Sequence, residues 1–189
     1  DYIARVLDAL TANPDVWAQT VLLINYDEND GFFDHAPPPA PPAIGADGKP
    51  LGGTTVDLAG EYHHVRIESE KSAERGDLMG RPYGLGPRVP MYVVSPFSRG
   101  GWVNSEVFDH TSVIRFLEKR FGVMEPNISA WRRAVCGDLS SCFDFKTPNA
   151  AVAKLPMTAD VASKAAALLA RTTPPTPPAH TPMQAAGTR

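Results

Sequence analysis

The sequence predicts an α/β fold, because apolar runs typical of buried strands alternate with segments of helical periodicity. Residues 20–26 and 88–96 are short apolar runs, and such runs need no polar alternation when both faces of a strand are covered. Residues 1–13, 108–122 and 158–170 carry apolar side chains at the i, i+3, i+4, i+7 spacing of amphipathic helices. A chain of 189 residues with 43% hydrophobic content is long enough for one domain with a sizeable core.

Capping and helix-breaking residues set the expected helix boundaries. The first helix should end before Pro14, because proline cannot continue a helix. Asp109 or Thr111 can cap the helix that Gly122 closes, and the same helix start would otherwise be a natural anion site. A further short helix or turn is expected at residues 127–135, with its tryptophan in the core.

Charge and hydropathy argue against two classes of protein. The formal net charge is −3 and Arg132-Arg133 is an isolated basic pair, so nucleic-acid binding through a basic patch has little support. No apolar run reaches the roughly 18 residues of a transmembrane helix, and the first residues lack the basic and apolar regions of a signal peptide. The sequence begins at Asp1 rather than Met, which indicates a processed form or a piece of a longer protein.

The two cysteines leave two alternatives open. Cys136 and Cys142 are separated by five residues, a loop that can close as a disulfide in an oxidising compartment. Two buried free thiols are equally compatible with the sequence. Metal binding by this pair alone is disfavoured, since no further Cys or His lies nearby.

The most informative stretch is an acidic cluster at the end of the first predicted strand. Four acids, Asp27, Glu28, Asp30 and Asp34, fall within eight residues, and His35 follows them. Ligands bind where loops leave the carboxyl ends of strands in α/β sheets, and a turn there could bring Asp27 and Glu28 onto one ion. Oxygen ligands suit Ca²⁺, Mg²⁺ or Mn²⁺, and an imidazole would open the site to Zn²⁺ or Fe. The alternative is a solvated acidic loop.

Two neighbouring segments are candidates for the rest of the site. Residues 36–60 are rich in Pro, Ala and Gly, which predicts a long surface loop, either a lid over the site or a plain insertion. Residues 98–102 follow the second strand and would lie on the same side as the acids if the two strands were parallel.

Three histidines besides His35 are candidates for this site. His110 stands at a helix start, where its imidazole could donate to an anion. His63 and His64 are adjacent, so at most one would serve a given pocket from a strand. No Gly-rich phosphate loop and no Gly-x-Ser-x-Gly elbow occurs, which disfavours hydrolases built on those plans.

Several motifs are similar to those of the bacterial phosphatidylcholine-type phospholipase C and acid phosphatase family, in the alkaline-phosphatase-like superfamily. The similarity runs from about residue 1 to about residue 148. Its motifs are Tyr-Asp-Glu-Asn-Asp-Gly-Phe-Phe-Asp-His at 26–35, Arg-Pro-Tyr-Gly-Leu-Gly at 81–86, Val-Pro-Met at 89–91, Ser-Pro at 95–96, Ser-Arg-Gly-Gly-Trp-Val at 98–103, Phe-Asp-His-Thr-Ser-Val at 108–113 and Glu-Pro-Asn-Ile-Ser-Ala-Trp-Arg-Arg at 125–133.

The resemblance implies part of a three-layer αβα sandwich and a metal-assisted hydrolysis of phosphoesters. A Ser or Thr nucleophile attacks phosphorus in such enzymes, and the metal lowers its pKa and balances charge on the phosphoryl oxygens. Asp27 and Glu28 match the family's metal-binding Asp-Glu pair. Asp34, His35 and His110 are carried as candidate catalytic neighbours of that pair. The implied substrate is a phospholipid or a small phosphoester.

One departure from the family pattern matters. The amino-terminal motif, a Glu-Asn pair followed by Arg-Ser-Phe-Asp-His, is absent, as is the segment that supplies the nucleophile. We therefore expect residues 1–148 to be the carboxy-terminal part of a catalytic domain, residues 149–171 a terminal helix and residues 172–189 a disordered tail. Alone, this part should be inactive, with an exposed sheet edge that favours association. Family members are usually exported, with the signal segment then upstream of Asp1.

Three alternatives to a phospholipase C remain open from the sequence. The first is an acid phosphatase acting on phosphomonoesters, and the second is a sulfatase or phosphonate-cleaving relative, because superfamily members differ in nucleophile and pocket. The third is a non-catalytic module in which the acidic loop binds a divalent cation for structural reasons.

Overall fold

The computed structural model describes residues 1–32, 36–63, 79–173, 176 and 179. The chain forms two compact units, one made of Asp1–Val16 with Ala151–Arg189 and the other of Trp17–Ala150. The tail expected at residues 172–189 lies largely outside the described residues, and the three-part division expected from the sequence stays a prediction.

The first unit contains two amphipathic helices, α1 (Tyr2–Thr11) and α5 (Ala159–Leu169). The sequence stripe predicted both. No side chain of either helix is buried. The short helix α2 (Pro14–Trp17) follows α1, and the Asn13 carboxamide oxygen accepts from the Asp15 N–H at 3.0 Å at its start. Proline suits this first helical position because its missing N–H would be unpaired there in any case.

The second unit contains two short strands, β1 (Leu22–Asn25) and β2 (Met91–Val94). In the described part of the chain they pair with each other as an antiparallel sheet, with Leu22 opposite Val94 and Asn25 opposite Met91. The parallel arrangement considered from the sequence is therefore wrong. The carboxyl end of β1 lies beside the start of β2, so residues 98–102 leave from the opposite end of the pair.

The described part of the second unit also contains two α-helices and a 3-10 helix at Ser140–Cys142. Helix α3 (His110–Phe121) ends at Gly122, whose φ of 70° is the left-handed conformation that glycine adopts most readily. Helix α4 (Ala130–Val135) begins at Ser129, whose hydroxyl accepts from the Arg132 N–H at 3.1 Å. Both helices were predicted. Among the described residues of this unit, the buried hydrophobic side chains are those of Trp17, Ile128, Trp131, Cys136, Leu139 and Phe143.

The fold is thus a mixture of helices and a small antiparallel sheet, which agrees with an α/β phosphoesterase domain at the level of its elements. The three-layer sandwich implied by the resemblance stays a prediction. Among the described residues, none of the helices is long and apolar enough to cross a membrane.

The structure decides between the two cysteine alternatives, since Cys136 and Cys142 are both free thiols. Burial raises the pKa of the Cys136 thiol to about 12, and the nearby Asp109 carboxylate acts in the same direction. Burial also raises the pKa of Cys142, although its sulfur accepts from the Asn104 amide at 3.4 Å. Neither thiol has the lowered pKa of a reactive cysteine.

Candidate functional site

An open cleft of about 710 Å³ lies at the carboxyl end of β1, where the sequence placed the site. Segments from four parts of the second unit line it. These are Asn25 and residues 27–29, residues 36–39, residues 85–89 with Met91, and residues 104–111 with Arg132. Because the strands are antiparallel, residues 85–89, which lead into β2, line the cleft. Residues 98–102, which were expected there from the sequence, do not line it.

The acidic pair lies in this cleft. Asp27 and Glu28 are both exposed and both line it, so the bend after β1 brings the two carboxylates to one cavity. The Glu28 backbone N–H donates to the Asp27 carboxylate at 3.1 Å, which holds the Asp27 side chain against the backbone of Glu28. The pair offers hard oxygen ligands and would fill part of the six to eight positions around Ca²⁺, or about two of the six around Mg²⁺. The donor chemistry therefore fits a hard cation.

A tight turn follows the acidic pair. Asp30 and Gly31 have φ of 49° and 76°, and the Phe32 N–H donates to the Asn29 carbonyl at 2.9 Å. Aspartate and glycine are residues that enter the left-handed region at low cost, which explains why they stand here. The turn leads into Asp34 and His35, which lie outside the described residues, so their assignment as catalytic neighbours stays a prediction.

His110 contacts the acidic strand end directly. Its Nε2 lies 2.8 Å from the carbonyl oxygen of Tyr26, the residue before Asp27. A carbonyl only accepts, so Nε2 carries the proton and Nδ1 is the nitrogen left for other contacts. The start of α3 is thereby joined to the end of β1. The expected donation from His110 to an anion stays a prediction, and the Nε2 proton is already committed to Tyr26.

Asp109 acts as the N-cap of α3, one of the roles considered from the sequence. Its backbone N–H donates to the Ser112 hydroxyl at 3.1 Å, one half of a capping box. Its Oδ1 accepts from the Thr111 hydroxyl at 2.5 Å, and its Oδ2 accepts from Arg132 Nη1 at 2.7 Å. The carboxylate therefore occupies the helix start that the sequence offered as an anion site.

An ion network behind Asp109 was not predicted from the sequence. Glu61 is only 2% exposed, and its Oε1 accepts from Arg132 Nε at 3.0 Å and from the Ser129 hydroxyl at 2.6 Å. Burial works to lower the pKa of Arg132, yet the contacts with Asp109 and Glu61 raise it above the ordinary value. The only sequence signal was Arg132-Arg133, set aside as an isolated pair, because its partners are distant in the chain.

Arg133 faces away from the cleft and joins α3 to α4. Its two terminal nitrogens donate to the two oxygens of Glu118 at 2.9 and 2.7 Å. This bidentate contact is the main reason that the pKa of Glu118 falls to about 2. The two adjacent arginines thus have different partners: Arg132 pairs with Glu61 and Asp109, and Arg133 pairs with Glu118.

The proline-rich segment forms one wall of the cleft. Residues 36–39 line it, and the Pro39 carbonyl accepts from the Leu85 N–H at 3.2 Å. Gly84 approaches this wall closely, since a Cβ there would lie 3.1 Å from the Ala40 side chain. The predicted surface loop thus borders the site, and its role as a lid stays a prediction.

Of the two adjacent histidines at 63 and 64, the structure describes His63. His63 is half-buried and its ring packs on Tyr83, with centroids 4.0 Å apart, and it does not line the cleft. His64 lies outside the described residues.

Comparison with known proteins identifies the family. The chain belongs to the Phosphoesterase family, whose profile matches residues 1–124, a range that includes β1, the acidic pair, β2 and α3. The resemblance stated from the motifs is thereby confirmed.

Named relatives are similar over most of this chain. A non-hemolytic phospholipase C of Pseudomonas aeruginosa is 64% identical over 151 residues, which are 79% of this chain and 20% of the relative. A hemolytic phospholipase C of the same organism is 57% identical over 77% of this chain and 18% of the relative. Phospholipase C B of Mycobacterium tuberculosis is 44% identical over 77% of this chain and 25% of the relative. The chain thus spans about a fifth to a quarter of the length of these relatives.

Proposed function

We propose that the chain is part of a metal-dependent phosphoesterase of the phospholipase C type, which hydrolyses phosphatidylcholine-like phosphodiesters. The observation that carries the proposal is the pair of adjacent carboxylates, Asp27 and Glu28, brought by one bend to one cleft in a chain of the Phosphoesterase family. The relatives described above are all named phospholipase C, which favours diesters over the phosphomonoesters of the acid phosphatase alternative.

The charges along the cleft support a bound cation. Four carboxylates and two guanidinium groups line its described walls, from Asp27, Glu28, Glu106, Asp109, Arg88 and Arg132. An anionic phosphodiester entering such a cleft would meet net negative charge, and like charges at close range repel. A divalent cation held by Asp27 and Glu28 would reverse the sign of the field near those two acids.

The residues of this chain would contribute positioning and charge. Asp27 and Glu28 would hold the cation, which when bound supplies Lewis-acid polarisation of a phosphoryl oxygen. His110 fixes the Tyr26 carbonyl next to the pair. Residues 36–39 and 85–89 form walls of the open cleft beside the exposed acids.

Hydrolysis by the full-length protein tests this proposal. We would compare the wild type with Asp27→Asn and Glu28→Gln, using a chromogenic phosphocholine diester and a matched phosphomonoester, before and after chelation and metal add-back. Asp30→Asn is the matched control, because it removes one charge from the same loop at a residue that does not line the cleft.

Wild type and Asp30→Asn should cleave the diester faster than the monoester, and both should regain activity when metal is added after chelation. Asp27→Asn and Glu28→Gln should have lost most of the diesterase activity. Metal binding by the wild type without hydrolysis of either ester would instead favour the cation-binding module. Faster cleavage of the monoester would favour the acid phosphatase.

A further inference from the structure

One half-buried arginine joins four segments of the second unit. Arg132 on α4 donates through Nε to Glu61 at 3.0 Å, through Nη1 to Asp109 at 2.7 Å and through Nη2 to the Gly84 carbonyl at 2.9 Å. Each of its three nitrogens therefore has a protein partner. Only the planar fork of a guanidinium can reach three acceptors in fixed directions, which a lysine ammonium on a flexible stem would not reproduce.

The partners of Arg132 are well shielded from water. The exposed fractions of the side chains are 21% for Arg132, 7% for Asp109 and 2% for Glu61. Ion pairs screened from solvent hold their geometry more firmly than surface pairs, and removal of one partner leaves the others with uncompensated charge. The placement of Asp109 thus depends on Arg132, and Glu61 holds Arg132 from the other side.

A short series of contacts leads from this network to the acidic pair. Asp109 is followed by His110, whose Nε2 lies 2.8 Å from the Tyr26 carbonyl, and Tyr26 is followed by Asp27. A second route passes through Gly84 to Leu85, whose N–H donates to Pro39 in the opposite wall. Arg132 itself lines the cleft. A shift of the Arg132 side chain would therefore move residues in the walls of the cleft through either series of contacts.

We propose that Arg132, held by Glu61, is a positioning residue for the Asp27–Glu28 pair, and that it acts through Asp109 and the His110 contact with Tyr26. The inference rests on the proposed function, since it takes the pair to bind a divalent cation. Residues hydrogen-bonded to a metal ligand change the affinity for metal by roughly ten- to hundredfold when mutated. Arg132 acts through intervening residues, so we expect an effect at the lower end of this range. A residue that serves only the stability of the fold would leave the affinity of the folded protein for metal unchanged.

The neighbouring arginine provides a matched control. Arg132→Lys and Arg133→Lys each replace a multiply bonded guanidinium on α4, but Arg133 pairs with Glu118 and does not line the cleft. The variants would be made in the full-length protein, stripped with a chelator and titrated in turn with Ca²⁺, Mg²⁺, Mn²⁺ and Zn²⁺. Direct metal binding, diester hydrolysis and thermal unfolding of the metal-free form would be measured in parallel.

Arg132→Lys should weaken metal binding by about tenfold, with much smaller loss of turnover at saturating metal. Arg133→Lys should lower thermal stability and leave metal affinity within about twofold of the wild type. His110→Asn removes the ring contact with Tyr26 at an exposed position, so it should fold and weaken metal binding in the same direction even if Arg132→Lys does not fold.

Unchanged metal affinity in Arg132→Lys and His110→Asn, or an equal loss in Arg133→Lys, overturns the positioning role while leaving the proposed function intact. A wild type that binds no divalent cation overturns both. The two failures are therefore distinguishable in one set of titrations.

Discussion

Replacement of Glu61 by alanine should lower the free energy of local unfolding of α4. Glu61 is 2% exposed and accepts two hydrogen bonds through Oε1, from Arg132 and Ser129. Removing one partner of a buried ion pair costs about 3 to 5 kcal/mol, because the other charge is left uncompensated. Arg132 keeps its contact with Asp109, so we expect the lower end, about 3 kcal/mol.

Hydrogen exchange followed by mass spectrometry suits this test, because it reports local opening even within a large protein. A loss of about 3 kcal/mol corresponds to exchange roughly 100 times faster, since 1.4 kcal/mol is a factor of ten in an equilibrium constant. The effect should appear in peptides covering α4, Ala130–Val135. Glu61→Gln keeps an acceptor for Arg132 and Ser129 and should cost less.

The matched control is Asp47→Ala, which removes an exposed carboxylate bonded only to the nearby Lys49 N–H among the contacts described. It should leave exchange in α4 unchanged. Exchange in Glu61→Ala within about twofold of the wild type would refute the reasoning, because it would mean that the buried network does not hold α4 in place.

Two further predictions follow from the pKa shifts in the second unit. Because the pKa of Cys136 is about 12, the fraction of thiolate at pH 8 should be about a thousandfold below that of an ordinary thiol. Peptide mapping after iodoacetamide treatment should therefore show slow labelling of Cys136. Labelling at the rate of free cysteine would contradict the raised pKa. The lowered pKa of Glu118, about 2 against an ordinary 4.5, means that its pairing with Arg133 stabilises the fold fully above about pH 4.5 and is lost as the pH falls toward 2. The difference in denaturant midpoint between wild type and Glu118→Gln should therefore be largest near neutral pH and vanish near pH 2, and a difference independent of pH would contradict this origin.

Local signals in the sequence predicted α1, α3, α4 and α5, but not the four-residue helix α2. Helix α3 is specified by a capping residue, an apolar face and a closing glycine within fifteen residues, so no distant contact is needed to define it. The acidic strand end was also found locally, since Asp27 and Glu28 follow directly on β1. The direction of strand pairing was not, because an apolar run carries no record of its neighbour's orientation. The full burial expected of both strands was wrong as well, since every residue of β1 and β2 is half-buried or exposed.

Features that depend on contacts between residues distant in the chain were not predicted from the sequence. Glu61 and Arg132 are 71 positions apart, and neither belongs to a periodic pattern that would bring them together. The free state of Cys136 and Cys142 likewise depends on geometry rather than spacing. Export, association through a sheet edge, inactivity of this part of the protein and the roles of Asp34 and His35 stay predictions.

The most direct test of the central claim is the metal content of the full-length protein by elemental analysis. Wild type and Asp30→Asn should carry a divalent metal at a fixed ratio to protein, and Asp27→Asn and Glu28→Gln should each lose most of it, because each removes one anionic oxygen ligand. Unchanged metal content in both variants would contradict the assignment of the acidic pair as metal ligands.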